Sequence, residues 1–166
     1  MDEVYFQQYG SRCRLWVPPE TRVRHYPTRR SVGYYGAVRL RDGRFVFQRE
    51  MTKFNAETCF EFLRQLRRRS GAEQRQVVVI LDNAAYHHAR LHKEWRLRNM
   101  DRFRLEFLPP YSPELNPIER VWKFTRRQCL HNRYFPTLER VVDAVEWTFA
   151  DWARGNSTLR RLCAII

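Results

Sequence analysis

The sequence predicts an α/β fold with a mixed central sheet flanked by helices, and three patterns carry this prediction. Alternating apolar and polar residues in the first half are typical of strands. An unbroken apolar run at 77–81 indicates a central strand covered on both faces. From there, helix-like and strand-like segments alternate along the chain, as in α/β proteins. With 166 residues, of which 43% are hydrophobic, we expect a single domain spanning 1–166.

The N-terminal part is predicted to consist mainly of strands. Segments 4–6 and 13–17 alternate in polarity and predict two antiparallel strands, the second of which is stopped by two prolines. Segments 31–39 and 45–48 flank Asp42-Gly43, a pair suited to the positive φ angles of a tight turn. They therefore predict a hairpin.

A first helix is predicted to follow this hairpin, with Asn55 as its N-cap and its end near Arg69. Helical spacing places four apolar residues toward the core, namely Cys59, Phe60, Leu63 and Leu66. Three arginines are expected to face outward, namely Arg64, Arg67 and Arg68.

The second half is predicted to alternate between strands and helices. The strand at 77–81 is followed by a helix over 88–98 and a strand over 103–108. Asn116 and Pro117 are typical of an N-cap and a first helical position, and predict a helix that runs to about 130. Thr137 is expected to cap a last long helix, which Gly155 ends. The apolar residues of that helix recur at helical spacing: Leu138, Val141, Val142, Val145, Phe149 and Trp152.

Charge points to a polyanionic partner. Lys and Arg number 31 against 18 Asp and Glu, a formal net charge of +13. Most of these cations are arginines, which bind phosphate oxygens in pairs, so nucleic acid is a natural partner. A solvated basic surface is the alternative.

No apolar run reaches the length of a membrane span, and no signal sequence follows Met1, so we expect a cytoplasmic protein. The four cysteines lie far apart and form no C-x-x-C pair. They are expected to be reduced and mostly in the core.

Two carboxylates stand where an α/β sheet exposes polar groups. Asp82 ends the most apolar strand, and Glu119 opens a predicted helix. Carboxylates that converge from different elements can hold Mg²⁺ ions for phosphodiester cleavage. Each also has a structural alternative. Asp82 can cap a turn, Glu119 can close a capping box with Asn116, and an acidic residue such as Asp2 at a chain start is usually solvated.

Two segments resemble the DDE endonuclease domain of insertion-sequence and mariner-type transposases. They read VVVILDNAAYH at 77–87 and FLPPYSPELNPIERVW at 107–122, and the opening DEVYF is similar to the family's D-E-x-x-F motif. The resemblance implies that Asp2, Asp82 and Glu119 are the three catalytic, metal-binding acids. It further implies an RNase H-like fold and two Mg²⁺ ions, with Mn²⁺ as a substitute.

The resemblance also implies a reaction and its partners. Transposon ends would be cleaved at inverted repeats and joined to target DNA at a TA dinucleotide by a homodimer, associated with the nucleoid if the source is prokaryotic. The helix-turn-helix modules that such transposases carry upstream are not found in 1–166. Two alternatives stay open: a truncated DNA-binding remnant without activity, and an RNase H-like nuclease that does not transpose.

Further residues are candidates for DNA contact around the acids. Asn83 is expected to orient Asp82 or contact DNA, with a simple turn role as the alternative. His87 is expected to touch metal-bound water or a DNA phosphate. Asn116 is either a helix cap or a residue beside the active site. Trp122 is expected to pack in the core. Four cations are spaced to form one basic face on the helix that bears Glu119, namely Arg120, Lys123, Arg126 and Arg127.

Overall fold

The computed structural model describes residues 1–9, 13–14, 16, 18, 20–22, 28–69 and 76–164. Its strands form two sheets. One is antiparallel, in the order β1 (Asp2–Gln7), β2 (Ser31–Arg39) and β3 (Arg44–Glu50). The other pairs β4 (Val77–Leu81) with β5 (Phe103–Phe107) in parallel.

The α-helices are α1 (Ala56–Arg69), α2 (Lys93–Asn99), α3 (Ile118–Thr125), α4 (Leu138–Trp152) and α5 (Ser157–Leu162). Short 3-10 turns lie at Ala85–His88, Arg90–His92 and Pro113–Leu115. A π-helical turn at Arg126–Leu130 continues α3. The predicted α/β fold is confirmed. The helix predicted to run to about 130 ends at Leu130, in this π-helical turn.

The two sheets meet at the start of β1. The Met1 amino group donates a hydrogen bond of 2.7 Å to the Ile80 carbonyl of β4. One core packs α3, α4 and α5 against Val4 and Phe6 of β1. The other places Phe62 of α1 with Leu81 and Tyr35. Helices therefore pack on both faces of the antiparallel sheet, and the start of β1 lies between the two cores.

The predicted hairpin is confirmed, and its turn docks on α5. Gly43 has the positive φ, at 70°. A Cβ at Gly43 would collide with the Asn156 carbonyl oxygen, while the Asn156 amide donates to the Asp42 carbonyl at 3.1 Å. This turn therefore requires glycine for its conformation and for the close approach of α5, which the sequence reading did not predict.

Helices α1 and α4 begin at their predicted caps. The Asn55 side chain accepts from the amides of Glu57 and Thr58 at 2.9 and 3.0 Å, and Thr137 accepts from the Arg140 amide at 3.4 Å. All six apolar residues predicted for the core side of α4 are buried.

The prediction for the core side of α1 is wrong for one residue, Phe60. Phe62 is fully buried, whereas Phe60 is half-buried against His92 and Trp95. The other three predicted residues of this helix, Cys59, Leu63 and Leu66, are buried as expected.

The predicted strand at 13–17 is wrong for its described residues, Cys13, Arg14 and Trp16, which are not in a strand. The Cys13 backbone amide and carbonyl pair with the side-chain amide of Asn132 at 3.2 and 3.1 Å instead of with β1. The antiparallel partner of β1 is β2, where Val4 lies opposite Tyr34.

The helix predicted over 88–98 is broken in the structure. Two 3-10 turns precede α2, because Ala89 has an extended conformation with ψ of 142°. The two turns bury His87 and His92, so packing of these rings takes the place of a continuous helix.

Strand β4 is not covered on both faces as predicted. Val78 is 48% exposed, although Val79 and Leu81 are buried. A cavity of about 300 Å³ lies beside it, between β4 and the second half of β2, with Met1 at one end.

Three of the cysteines are buried and Cys13 is exposed, all with free thiols, as expected. Within the described ranges, no helix has both the length and the apolar character to cross a membrane.

Candidate metal centre

Three carboxylates from three separate elements line one cavity of about 530 Å³. Asp2 opens β1, Asp82 directly follows β4, and Glu119 lies in the first turn of α3. Asn83, Asn116 and the segment 108–113 complete the wall. The acids that the motif singles out thus line one cavity although they lie far apart in the sequence.

Asp2 is a buried carboxylate. Strand alternation points Asp2, Val4 and Phe6 toward the same core, and the Trp122 indole Nε1 donates to Asp2 Oδ2 at 3.1 Å. Burial raises the pKa of Asp2 to about 7, and the nearby charges of Glu3 and Glu119 add to the rise. A divalent cation would offset this repulsion between carboxylates. The alternative of a merely solvated Asp2 does not hold.

Asp82 is exposed to the cavity and also shapes its own turn. Its Oδ1 accepts the Ala84 amide at 3.1 Å and lies 2.9 Å from Nδ1 of His87. The turn role and the position at the cavity wall therefore coexist.

Glu119 is half-buried. Two predictions for the start of α3 are wrong, namely the Asn116 N-cap and the capping box formed by Asn116 and Glu119. Helix α3 begins without a side-chain cap. The Asn116 side chain is buried and donates to the Met1 carbonyl at 3.4 Å, while only the Asn116 backbone carbonyl accepts the Glu119 amide, at 3.1 Å. Because Asn116 packs under β1, its side chain cannot cap α3.

Asn116 also leaves a polar atom unpaired. Its Oδ1 is buried and accepts no hydrogen bond from the described residues, although the residue lines the cavity. Such an orphaned oxygen is costly unless a ligand or water satisfies it.

His87 lies inside the protein, not on a DNA surface. The side chain is fully buried, with Nδ1 beside Asp82 and Nε2 3.1 Å from Glu3 Oε1. Burial alone would lower the pKa of His87, but hydrogen bonds to the Cys59 thiol and Glu3 raise it to about 10. The prediction that His87 touches DNA or metal-bound water is therefore wrong, because both ring nitrogens are taken up by the protein.

The donor chemistry of the cavity fits a hard divalent cation. The carboxylates of Asp2, Asp82 and Glu119 offer only oxygen, which Mg²⁺ and Mn²⁺ prefer. Among the described residues, however, no three acidic, histidine or cysteine side chains lie close enough to form a metal cluster as they stand. The structure brings the acids to one cavity without closing a ligand shell.

Of the four cations predicted to form one basic face after Glu119, Arg120 and Arg126 contact other parts of the protein. Arg120 donates to the carbonyls of Leu162 and Ala164 at 2.9 and 3.3 Å. Arg126 is half-buried over the Phe6 ring, and burial lowers its pKa. Lys123 and Arg127 stay exposed.

Asn83 holds the cavity wall together. Its Nδ2 donates to the Leu108 carbonyl, and its Oδ1 lies 3.1 Å from Nε2 of His88. The amide thus links the end of β4 to the residue that follows β5.

Sequence reasoning missed the roles of three residues at this site, although it correctly placed Trp122 in the core. Glu3 contacts His87, and strand alternation would have placed it opposite Asp2. The Trp122 indole serves as a donor, a role signalled by its position one helical turn after Glu119. Tyr111 is exposed at the cavity with a positive φ of 57°, for which the surrounding prolines give no clear signal.

Comparison with known proteins gives relatives in both sequence and structure. The family model described as DDE superfamily endonuclease matches residues 1–142. The uncharacterized protein y4pE/y4sA of Sinorhizobium fredii is 42% identical over 74 residues, which are 45% of this chain and 51% of that protein.

Solved structures of transposase complexes share the fold. The Mos1 strand transfer complex aligns with a TM-score of 0.67 and 20% identity, covering 98% of this chain and 49% of that one. The Mos1 mariner paired end complex with Mn aligns with a TM-score of 0.67 and 19% identity, covering 97% and 49%. This likeness confirms the predicted RNase H-like fold, and this chain spans about half the length of each relative.

The family match includes all three cavity acids and every strand. The chain belongs to the DDE superfamily endonucleases.

Proposed function

We propose that this chain is the catalytic domain of a DNA transposase. Asp2, Asp82 and Glu119 would hold two Mg²⁺ ions, or Mn²⁺ in their place. The domain would cleave phosphodiester bonds at transposon ends and join the exposed 3′ ends to target DNA. The observation that carries this proposal is the convergence of the three acids on one cavity from β1, from the end of β4 and from α3.

When bound, divalent ions would supply Lewis-acid activation of a water or 3′ hydroxyl and charge stabilisation for the leaving group. Other residues of the chain orient the carboxylates that would bind these ions. Trp122 holds Asp2 by its indole N–H, and the Ala84 amide holds Asp82. Asn116 lies in the cavity wall, and its buried Oδ1 accepts no hydrogen bond from the described residues.

DNA is the proposed partner, bound by a homodimer. The net charge of +13 favours a polyanion, and exposed Lys123 and Arg127 lie on the helical segment that follows Glu119. Asn83 at the cavity wall and exposed Arg120 are further candidates for backbone contact. Half-buried Arg126 would act through its charge.

Isosteric substitution of the acids tests the catalytic assignment. Asp82→Asn and Glu119→Gln keep the side-chain shape but remove the charge that binds metal, so Mg²⁺-dependent nicking of a supercoiled plasmid should fall below detection. Plasmid binding should stay near the wild-type level. The matched control is Asp101→Asn, an exposed carboxylate just before β5, at the opposite end of that strand from the cavity. Nicking that persists in both acid variants would refute the assignment.

A second candidate is a DNA-binding protein of the same fold that does not catalyse. This second candidate is favoured by the spacing of the acids, because among the described residues no three side chains lie close enough to form a metal cluster. Melting temperature separates the two. A functional site should gain thermal stability with Mg²⁺ or Mn²⁺ and lose that gain in Asp82→Asn, whereas a protein that only binds DNA should respond to DNA alone.

A further inference from the structure

Glu3, His87 and Asp82 form a chain of hydrogen bonds that runs from a buried carboxylate to the wall of the cavity. Strand alternation turns Glu3 to the face of β1 opposite Asp2, where its side chain is only 8% exposed. There Glu3 Oε1 lies 3.1 Å from Nε2 of His87, and Nδ1 of the same ring lies 2.9 Å from Asp82 Oδ1. The ring thus connects a buried carboxylate to a carboxylate at the cavity.

The imidazole ring of His87 has little freedom to rotate. The residue is fully buried, its amide donates to the Ala84 carbonyl at 2.9 Å, and the Tyr86 ring packs against it at 4.6 Å. Nδ1 also lies 3.1 Å from the Asp82 backbone carbonyl. Carbonyl and carboxylate oxygens only accept, so Nδ1 is the donor in both of its contacts.

Asp82 itself has few other constraints. The carboxylate is exposed to the cavity, and its contacts within the described residues, with the Ala84 amide and with His87, both fall on Oδ1. Two donors on one oxygen restrain the carboxylate and leave Oδ2 without a hydrogen bond from the described residues. Donors of this kind behind a ligand commonly set its orientation and metal affinity.

We propose that His87 is a positioning residue for Asp82: its Nδ1–H orients the carboxylate toward the cation, and Glu3 anchors the ring through Nε2. The inference rests on the proposed metal site and adds two residues that serve it without contacting metal or DNA. It assigns different tasks to the two ring nitrogens, which substitutions can separate.

Asparagine and glutamine at position 87 test this division. The Asn amide nitrogen takes the place of Nδ1, and the Gln amide nitrogen takes the place of Nε2. His87→Asn should retain the donor to Asp82 and bind Mn²⁺ within about threefold of wild type. His87→Gln should lose that donor and bind about 10- to 100-fold more weakly.

Mn²⁺ affinity is measured from the free-ion signal in electron paramagnetic resonance, with circular dichroism to verify folding. His131→Gln, remote from the cavity in sequence and outside its wall, is the control and should bind as wild type does. Equal affinities in the Asn and Gln variants, or weaker binding by Asn than by Gln, would overturn the inference.

Wild-type protein provides a second measurement in case neither variant folds. A buried ring N–H of His87 should give a solvent-protected NMR signal that shifts when Mg²⁺ saturates the site, because its acceptor Asp82 then binds the ion. A signal that saturating Mg²⁺ leaves unmoved would exclude the positioning role.

Asp82→Asn distinguishes failure of this inference from failure of the proposed function. If that variant binds Mn²⁺ like wild type, the metal site itself is refuted. If Asp82→Asn loses Mn²⁺ while His87→Asn and His87→Gln behave alike, only the role of His87 is refuted.

Discussion

Trp122 links the core to the candidate metal centre. Its ring is 1% exposed and packs against Phe6 and Phe45, while its indole N–H donates to Asp2. Gly36 lies opposite Asp2 in the β1–β2 register. Only glycine fits at this position, because a Cβ there would collide with the Trp122 ring. One side chain thus sets both the packing of the sheet and the donor to a buried acid.

Replacing Trp122 by Phe should separate these two roles. The variant keeps an aromatic ring but leaves the Asp2 carboxyl without its indole donor, which costs about 1–3 kcal/mol beyond the lost ring area. The control is Trp152→Phe, since Trp152 is equally buried and makes no side-chain hydrogen bond to a described residue. Urea unfolding at neutral pH should show the larger loss of stability for Trp122→Phe. Equal losses would mean that the hydrogen bond contributes nothing.

At the scale of single residues, the motif predicted the three acids and their order, and the structure brings them to one cavity. Their metal-binding role stays a prediction. The orientations of Asn116 and His87 were not predictable from local sequence, because both are set by packing against β1. Asn116 contacts the Met1 backbone and His87 contacts Glu3, residues at the far end of the chain.

Helix α1 shows how strongly a local signal can define an element. The Asn55 side chain accepts from two free amides at the helix start, so removing it should destabilise the fold by about 1 kcal/mol. Thermal or urea unfolding of Asn55→Ala checks this loss. Asn55→Asp keeps an acceptor and adds favourable charge at the helix start, and should be at least as stable as wild type. A loss of similar size in Asn55→Asp would argue against the capping role.

Elements with strong local signals were predicted correctly, and those that depend on tertiary contacts were not. The β2–β3 hairpin, α1, β5 and α4 follow turn, cap and periodicity signals. Helix α5 has only six residues, and the docked Gly43 turn contacts its start. The broken segment before α2 depends on burial of two histidines, which sequence periodicity does not show.

The charge of the whole molecule predicts salt-dependent DNA binding. A net charge of +13 should make the affinity fall steeply as salt rises, since each neutralised phosphate contributes about 0.9 to the log–log slope. Lys123→Ala and Arg127→Ala should each reduce that slope by about 0.9 if the side chain contacts a phosphate. Fluorescence anisotropy across a salt series measures the slope.

Arg98→Ala is the charge-matched control for this series. Arg98 already pairs with Glu94 at 2.9 Å on the surface of α2, so its removal should leave the slope unchanged. Slopes that fall equally in all three variants would indicate a diffuse basic surface instead of a phosphate contact beside the cavity.

The contact between the two sheets has a mechanical consequence for the whole domain. Asp2 belongs to β1 and Asp82 directly follows β4, and the Met1–Ile80 hydrogen bond joins these two strands. The distance between the Asp2 and Asp82 carboxylates therefore depends on how rigid this contact between the two sheets is. A change at this contact would alter the spacing of Asp2 and Asp82, and with it the proposed binding of a metal ion, without touching either carboxylate.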